Sequence, residues 1–233
     1  MTKLTAIAFD ADDTLWQNEQ FFQLSKESFT ALLADHGDTH QVASRLLEAE
    51  RRNLKLYGFG AKGFTLSMIE TALEVTDHTV PQAVIGKILA LGRAMLDYPI
   101  ETLPHVQETL EALAGKYRII LITKGDLFDQ ERKLAQSGLG DFFNAVEIVS
   151  DKKPAVYDRV FSRHADGAER AMMVGNSLKS DVIPALEAGA WGVHVPHELV
   201  WELDHADPPE CHPRFHTIDT LKPLPEFIET VVR

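Results

Sequence analysis

The stretch that decides the fold is AIAFDADDTLW, residues 6–16. Its first four residues are apolar, which is typical of a fully buried strand in a parallel sheet. The run ends in three acids, Asp10, Asp12 and Asp13. In a partly dry cleft these carboxylates would repel one another unless a cation or phosphate chemistry used them. Because open α/β sheets bind their ligands at the carboxyl ends of strands, the stretch predicts a site at its acidic end.

The spacing of Asp10 and Asp12 indicates how two acids could work together. Side chains at i and i+2 of a strand start on the same face. One carboxylate could therefore act as a nucleophile while its neighbour donates a proton to the same substrate. The alternative is an acidic turn that caps the following helix, with Asp12, Asp13 or Thr14 as the N-cap. Taken alone, the stretch leaves both interpretations open.

Length and charge limit the classes of function. With 233 residues the chain can form one sizeable domain, or a core domain with an insert. Its formal net charge of -12 disfavours nucleic-acid backbones or anionic membranes as the main partner. A phosphorylated small molecule remains compatible, because a local lysine and backbone N–H groups can hold an anion on an acidic protein.

The single cysteine and the hydropathy pattern indicate the compartment. Cys211 cannot form an internal disulfide and fits a reducing cytosol. No signal peptide is visible, and no stretch approaches the roughly 18–20 apolar residues of a membrane span. We therefore expect a cytoplasmic protein without a membrane anchor.

The pattern along the chain predicts two parts. Apolar residues recur at helical spacing between residues 18 and 96, and no strand-like run interrupts them. From residue 99 onward apolar strand-like runs alternate with helical segments, which is typical of a doubly wound, Rossmann-like parallel sheet. We expect an α/β core domain of residues 1–16 and 99–233 with an inserted helical domain of residues 17–98. The segment His197–His216 is expected to be a long loop.

Two of the later strand ends carry residues suited to an anion. Thr123 ends an apolar run, and its hydroxyl with the N–H groups of the following turn could cradle a phosphoryl oxygen. Lys153 directly precedes Pro154, which places a lysine beside the positive end of the next helix. A capping role for Thr123 and a solvated surface position for the lysine are the alternatives.

The last strand end carries residues suited to a cation. An apolar run leads into Gly175-Asn176-Ser177, and Asp181 follows on the next helix. Oxygen ligands from such a turn suit Mg²⁺, which binds through a few carboxylates and waters. Asp181 could instead be an ordinary capping residue.

These residues, in this order along the chain, resemble the sequence motifs of the haloacid dehalogenase-like (HAD) hydrolase superfamily. The resemblance rests on Asp10-x-Asp12-x-Thr14, Thr123, Lys153 and Gly175-Asn176-Ser177-x-x-x-Asp181. It covers essentially the whole chain and is of the phosphatase type, with an α-helical cap domain inserted after the first strand. One residue departs from the pattern, since Asn176 stands where these phosphatases commonly carry Asp.

The resemblance implies a role for each of these residues. Asp10 would form an aspartyl-phosphate, and Asp12 would protonate the leaving oxygen and later deprotonate the attacking water. The phosphoryl oxygens would be held by Thr123, Lys153 and the backbone N–H groups of Lys124 and Gly125. Mg²⁺ would be bound by Asp10, the Asp12 carbonyl, Asn176 and Asp181.

The presence of Asp12 favours phosphate-ester hydrolysis, because dehalogenases of this superfamily lack an acid there. A cap domain that excludes large molecules favours a small phosphorylated metabolite as substrate. Candidate substrate contacts are Thr14 and Trp16 beside the nucleophile and Lys62 in the Gly58–Phe64 loop. A phosphomutase using the same two aspartates and a non-catalytic binding or regulatory protein on this scaffold are the alternatives. The sequence leaves the natural substrate and the oligomeric state open.

Overall fold

The structure is a computed structural model that describes residues 3–232, with side chains to residue 230. Its core is a six-stranded sheet in the order β3-β2-β1-β4-β5-β6, and every neighbouring pair is parallel. The strands are β1 Ala6–Phe9, β2 Arg118–Lys124, β3 Ala145–Val149, β4 Ala171–Gly175, β5 Trp191–His194 and β6 Phe215–Thr217. The predicted doubly wound parallel sheet is confirmed.

Strand β1 lies in the middle of this sheet. Phe9, its last residue, is in register with Leu121 of β2 and Val174 of β4. All four residues of β1 are fully buried, which explains the continuous apolar run. Because the strands are parallel, their carboxyl ends share one edge, and Asp10 follows β1 at that edge.

Helices precede and follow the strands along the chain. They are α1 Glu19–Leu32, α2 Thr39–Tyr57, α3 Ala61–Val75, α4 Gln82–Asp97, α5 Val106–Leu113, α6 Leu127–Ser137, α7 Pro154–His164, α8 Ile183–Glu187 and α9 Leu224–Val232. A π-helical turn, Leu178–Val182, leads directly into α8.

The two faces of the sheet bury different helices. On one face alternate strand residues such as Phe9 pack in a cluster with residues of α5 and α9. On the other face Ala8 and its equivalents pack with α7 and α8. This two-sided burial follows from the period-two alternation of side chains along each strand.

The chain divides into two compact units. The core unit comprises residues up to Gln17, Ile100–Lys124 and Gln130–Arg233, and the helical unit comprises Asn18–Pro99 and Gly125–Asp129. The short segment Gly125–Asp129 was expected in the core domain and instead groups with the helical unit.

The helical unit contains α1 to α4 around its own apolar cluster. Phe29, Leu46, Met68 and Ile88 are fully buried there, one from each helix. Asp38 caps the start of α2 through its side chain, which accepts from the backbone of the first turn.

Two sequence-based boundaries differ from the structure. α3 begins at Ala61, so Lys62 lies in its first turn and not in a loop that extends to Phe64. The segment expected to be one long loop contains a strand at its end, β6. Within residues 3–232 no helix has the length and apolarity needed to cross a membrane.

Candidate active site

Asp10 is the buried centre of the site. It is 6% exposed, and its carboxylate accepts hydrogen bonds from Lys152 Nζ at Oδ1 and from Thr14 Oγ1 at Oδ2, the latter at 3.3 Å. Burial and the negative charge of Asp181 raise the pKa of Asp10 to about 7, although Lys152 opposes the shift. The site therefore holds more negative charge than its lysine balances.

The lysine of the site is Lys152, which corrects the prediction of Lys153. Lys152 Nζ contacts Asp10 and lies 2.6 Å from Asp181 Oδ1, with its side chain almost fully buried. Lys153 is 69% exposed and pairs with Asp151 on the surface. Successive side chains of extended backbone point to opposite sides, so only one of the two lysines can face Asp10.

Asp181 anchors this lysine. Its Oδ1 accepts from Lys152, and its Oδ2 accepts from the backbone N–H of Ser177 at 3.0 Å. A Cβ on Gly175 would collide with the Asp181 carboxylate, which explains the glycine at the end of β4. The carboxylates favour the charged lysine more than burial disfavours it, so the pKa of Lys152 is raised.

Thr14 joins the first strand end to the fourth. Its hydroxyl lies 3.3 Å from Asp10 Oδ2 and 3.2 Å from Asn176 Oδ1, and it accepts from the Asn176 backbone N–H at 3.0 Å. Asp10 and Asn176 therefore present oxygens around one hydroxyl group. Thr14 is 1% exposed and supports these two residues, and its role as a substrate contact stays a prediction.

Both carboxylate oxygens of Asp12 accept hydrogen bonds from neighbouring side chains. Trp16 Nε1 and Lys133 Nζ donate to Oδ1 at 2.7 and 2.9 Å, and Gln130 Nε2 donates to Oδ2 at 2.9 Å. Burial favours the neutral acid, but Lys133 and the other donors outweigh it and lower the pKa of Asp12. The side chain of Trp16 is fully buried and supports Asp12, and its contact with substrate stays a prediction.

Thr123 lies at the end of β2 and is 2% exposed. Its hydroxyl is 2.9 Å from Gln130 Nε2. The side chain of Lys124 turns to Ser180 and Asp204, so only its backbone could serve as the predicted phosphoryl contact. Gly125 follows with a φ of +144°, a conformation that favours glycine.

Lys62 is in the helical unit, where its Nζ lies 2.9 Å from Asp126 Oδ1. Its side chain is half-exposed and also lies over the ring of Phe128. Its role in binding substrate stays a prediction, and Asp126 offsets part of the charge such a role would use.

The oxygens around Asp10 suit a hard divalent cation. Two buried acids, Asp10 and Asp181, face one lysine, so a cation would relieve an unbalanced negative charge. Among the described residues no three His, Cys, Asp or Glu side chains form a metal cluster. A Mg²⁺ site here therefore depends on the amide of Asn176 and a backbone carbonyl beside the acids, which are ligands that Mg²⁺ accepts.

The sequence interpretation missed Gln130 and Lys133, which lie three residues apart on one side of α6. The available signal was that i and i+3 positions share a helix face. That signal alone does not distinguish buried polar partners from a solvated helix face, so the contacts with Asp12 could not be inferred.

Comparison with known proteins finds matches over most of the chain. Residues 4–189 match the family model described as haloacid dehalogenase-like hydrolase. The structure superposes with a TM-score of 0.87 on a haloacid dehalogenase-like family hydrolase from Xanthomonas campestris. That chain is 42% identical, and the match covers 98% of this chain and 91% of the other.

Two curated relatives are named for their substrates. A glyceraldehyde 3-phosphate phosphatase of Methanothermobacter thermautotrophicus is 29% identical over 88% of this chain and 91% of its own. The pyrimidine 5'-nucleotidase YjjG of Escherichia coli is 22% identical over 95% of this chain and 96% of its own.

Proposed function

Because this chain belongs to the haloacid dehalogenase-like hydrolase family, we propose that it is a Mg²⁺-dependent phosphatase of a small phosphorylated metabolite. The observation that carries the proposal is the buried set of Asp10, Lys152 and Asp181, with Asp12 two residues from the nucleophile. A carboxylate nucleophile followed by a second acid is the arrangement that two-step hydrolysis of a phosphate ester requires.

In the first step Asp10 attacks the phosphorus of the ester. The bond between phosphorus and the leaving oxygen breaks, and its electron pair goes to that oxygen. Asp12 is ionised in the free protein, so it first takes up a proton from solvent, and it then gives this proton to the leaving oxygen. An alcohol departs, and an aspartyl-phosphate remains on Asp10.

In the second step water attacks the same phosphorus. Asp12, now a carboxylate, takes a proton from the water as the bond between phosphorus and Asp10 breaks. Inorganic phosphate leaves, and Asp12 again carries a proton, as it did before the first transfer. Thr123 and Lys152 stabilise the phosphoryl oxygens as charge shifts onto them in both steps.

Mg²⁺ would be held by the Asp10 carboxylate, the Asp12 carbonyl and the Asn176 amide, with Asp181 contributing its negative charge. When bound, it supplies positive charge that screens the nucleophile from the phosphate dianion. The cofactor is inferred from the donor set and from the family, whose fold this chain shares.

The names of the relatives narrow the substrates worth testing. Glyceraldehyde 3-phosphate and pyrimidine 5'-nucleotides are the two classes that they suggest. Both are small phosphate monoesters, which agrees with the class expected from the sequence. Other small sugar phosphates belong in the same panel.

Phosphate release from this panel tests the proposal. The purified protein should hydrolyse at least one of these esters with Mg²⁺, and Asp10→Asn should lower the rate by at least about 1000-fold. Loss of activity with EDTA and recovery with added Mg²⁺ tests the cofactor. Equal rates for the two proteins would show that Asp10 is not the nucleophile and would defeat the proposed mechanism.

A further inference from the structure

The side chain of Asp12 sits among three buried donors, Trp16, Gln130 and Lys133, which we name the Asp12 cradle. Trp16 is fully buried, Gln130 is 4% exposed and Lys133 is 9% exposed. Two of them come from α6 and the third from the turn after β1. Nothing in the two-step chemistry requires these donors, so their convergence on one carboxylate needs its own explanation.

The Oδ1 atom of Asp12 is firmly held. Trp16 has a single indole hydrogen, which points to Oδ1 at 2.7 Å, and a buried N–H without a partner is unfavourable. Lys133 adds a charge-assisted hydrogen bond to the same oxygen at 2.9 Å. Rotating this oxygen away would break both contacts.

The Oδ2 atom is held less tightly. Its donor, Gln130 Nε2, also lies 2.9 Å from Thr123 Oγ1 and 3.0 Å from the Lys124 carbonyl. An amide nitrogen has two hydrogens, so these three acceptors share them. Oδ2 can therefore be released while Gln130 keeps both of its hydrogens engaged.

The orientation of the Gln130 amide is also fixed. The Lys124 carbonyl can only accept a hydrogen bond, so the amide nitrogen of Gln130 and not its oxygen must face it. Gln130 Oε1 is buried with no hydrogen-bond partner in the part of the chain that the structure describes. The fold thus accepts an unpaired carbonyl oxygen in order to keep Nε2 between Asp12 and Thr123.

We infer that Trp16 and Lys133 are positioning residues that anchor Oδ1 of Asp12, which leaves Oδ2 as the oxygen that exchanges protons in the reaction. Gln130 sets the position of that oxygen relative to Thr123, the predicted phosphoryl contact. This inference rests on the proposed function. In the first step the proton on Oδ2 passes to the leaving oxygen, and in the second step Oδ2 takes a proton from water.

A comparison of two leaving groups tests the inference. A nitrophenyl phosphate loses a leaving group that needs no proton, whereas an alkyl phosphate such as glycerol phosphate needs one. The value of kcat/KM reports only the steps up to departure of the leaving group, so the later use of Asp12 as a base does not enter. Lys133→Met should lower kcat/KM about 10- to 100-fold for the alkyl ester and less than about 3-fold for the nitrophenyl ester.

Three further variants keep the test independent of folding. Trp16→Phe removes the other donor to Oδ1. Like Lys133→Met, it should lower kcat/KM for the alkyl ester more than kcat/KM for the nitrophenyl ester. Lys133→Arg keeps the positive charge, so its ratio of kcat/KM for the alkyl ester to kcat/KM for the nitrophenyl ester should return most of the way to that of the wild type. Arg132→Met removes a neighbouring positive charge of α6, and it should leave the ratio within about 2-fold of the wild type.

The outcomes separate the inference from the proposed function. An equal fall in kcat/KM for both substrates in Lys133→Met and Trp16→Phe would mean a structural role only, and the inference would be overturned. An unchanged kcat/KM for both variants would overturn it as well. If the wild type hydrolyses neither ester nor any member of the metabolite panel, the proposed function fails first.

Discussion

At the scale of single residues, the site places several charged side chains in a buried environment. Asp10 and Asp181 share Lys152, so the buried trio carries an excess negative charge. Burial, and then the negative charge of Asp181, raise the pKa of Asp10 to about 7, far above its ordinary value of 3.8. The Mg²⁺ that we propose for this site would offset part of this charge.

The raised pKa of Asp10 predicts how stability changes with pH in metal-free buffer. Between about pH 4 and pH 7 the unfolded chain has lost the Asp10 proton while the folded protein keeps it, so the free energy of unfolding falls as pH rises. Asp10→Asn cannot ionise. We expect the free energy of unfolding of Asp10→Asn, relative to that of the wild type, to rise by about 2–4 kcal/mol between pH 4.5 and pH 7.5.

Urea unfolding with EDTA at several pH values measures this difference. The gain should level off above about pH 7, where Asp10 is ionised in both states. A difference that stays constant across the range would mean that Asp10 titrates normally in the folded protein.

The adjacent lysines Lys152 and Lys153 give a second expectation at this scale. Lys152→Met removes the counter-ion of Asp10 and Asp181 and should lower kcat at least about 100-fold. Lys153→Met removes an exposed charge and should stay within about 2-fold of the wild type. Phosphate release gives the rates, and thermal unfolding of each variant separates loss of the site from loss of the fold. A larger effect at Lys153 would contradict the assignment.

Asn176 gives a third expectation. Its amide oxygen lies beside Thr14 Oγ1, and an aspartate there could accept the same hydrogen bond while adding a negative charge. Asn176→Asp should therefore lower the Mg²⁺ concentration for half-maximal activity, by about 3- to 10-fold. A magnesium titration of the two proteins measures it, and an unchanged midpoint would exclude Asn176 from the metal site.

The residue types of the site could be predicted better than their positions. Asp10 and Asp12 follow an apolar run, so their position was visible in the sequence. The choice between Lys152 and Lys153 depends on which side of an extended segment faces inward, and adjacent residues of one type give no signal for that. The partners of Asp12 on α6 depend on tertiary packing, which is not local information.

At the scale of elements, strands buried on both faces were readable because they are continuous apolar runs. β6 was missed because its three residues, Phe215–Thr217, are short, and two of them are exposed. Only its pairing with β5 makes the segment a strand. The start of α3 was missed because Gly58 and Gly60 suggested a loop, whereas Gly60 is the N-cap.

Two glycines of α4 give an expectation about packing. A Cβ on Gly92 would collide with Thr65 of α3, whereas a Cβ on Gly86 would meet nothing within 4 Å. Gly92→Ala should destabilise the protein by about 1–3 kcal/mol, because overpacking forces the helices apart. Gly86→Ala should stabilise it by up to about 1 kcal/mol, since alanine is the better helix former.

Urea unfolding of both variants is the measurement, and each serves as the control for the other. If Gly92→Ala were neutral, the close approach of α3 and α4 would be contradicted.

At the scale of the whole molecule, both ends of the helical insertion leave from one place on the core unit. Trp16 pairs antiparallel with Thr102, and the N–H of Gln17 donates to the carbonyl of Glu101 at 2.9 Å. Antiparallel neighbours are about 5 Å apart, so a short turn can join them. The apolar clusters on both faces of the sheet are built only from core-unit residues.

We therefore expect the core unit to fold when residues 18–99 are replaced by a short glycine-rich turn. Circular dichroism should show a mixed α/β spectrum, and thermal unfolding should remain cooperative. The full-length protein is the control. A shortened chain without a cooperative transition would mean that the core requires the helical unit in order to fold.

The central place of β1 has a consequence for biosynthesis. Ala8 pairs with Ile120 and with Met173, both far downstream in the chain. At about 5–20 residues per second, the ribosome delivers β4 roughly 10–30 s after β1 has been made. Until β2 and then β4 emerge, β1 lacks its neighbouring strands, and charges that flank an exposed apolar segment oppose its aggregation. We therefore expect the acids proposed for the reaction to protect the nascent chain as well.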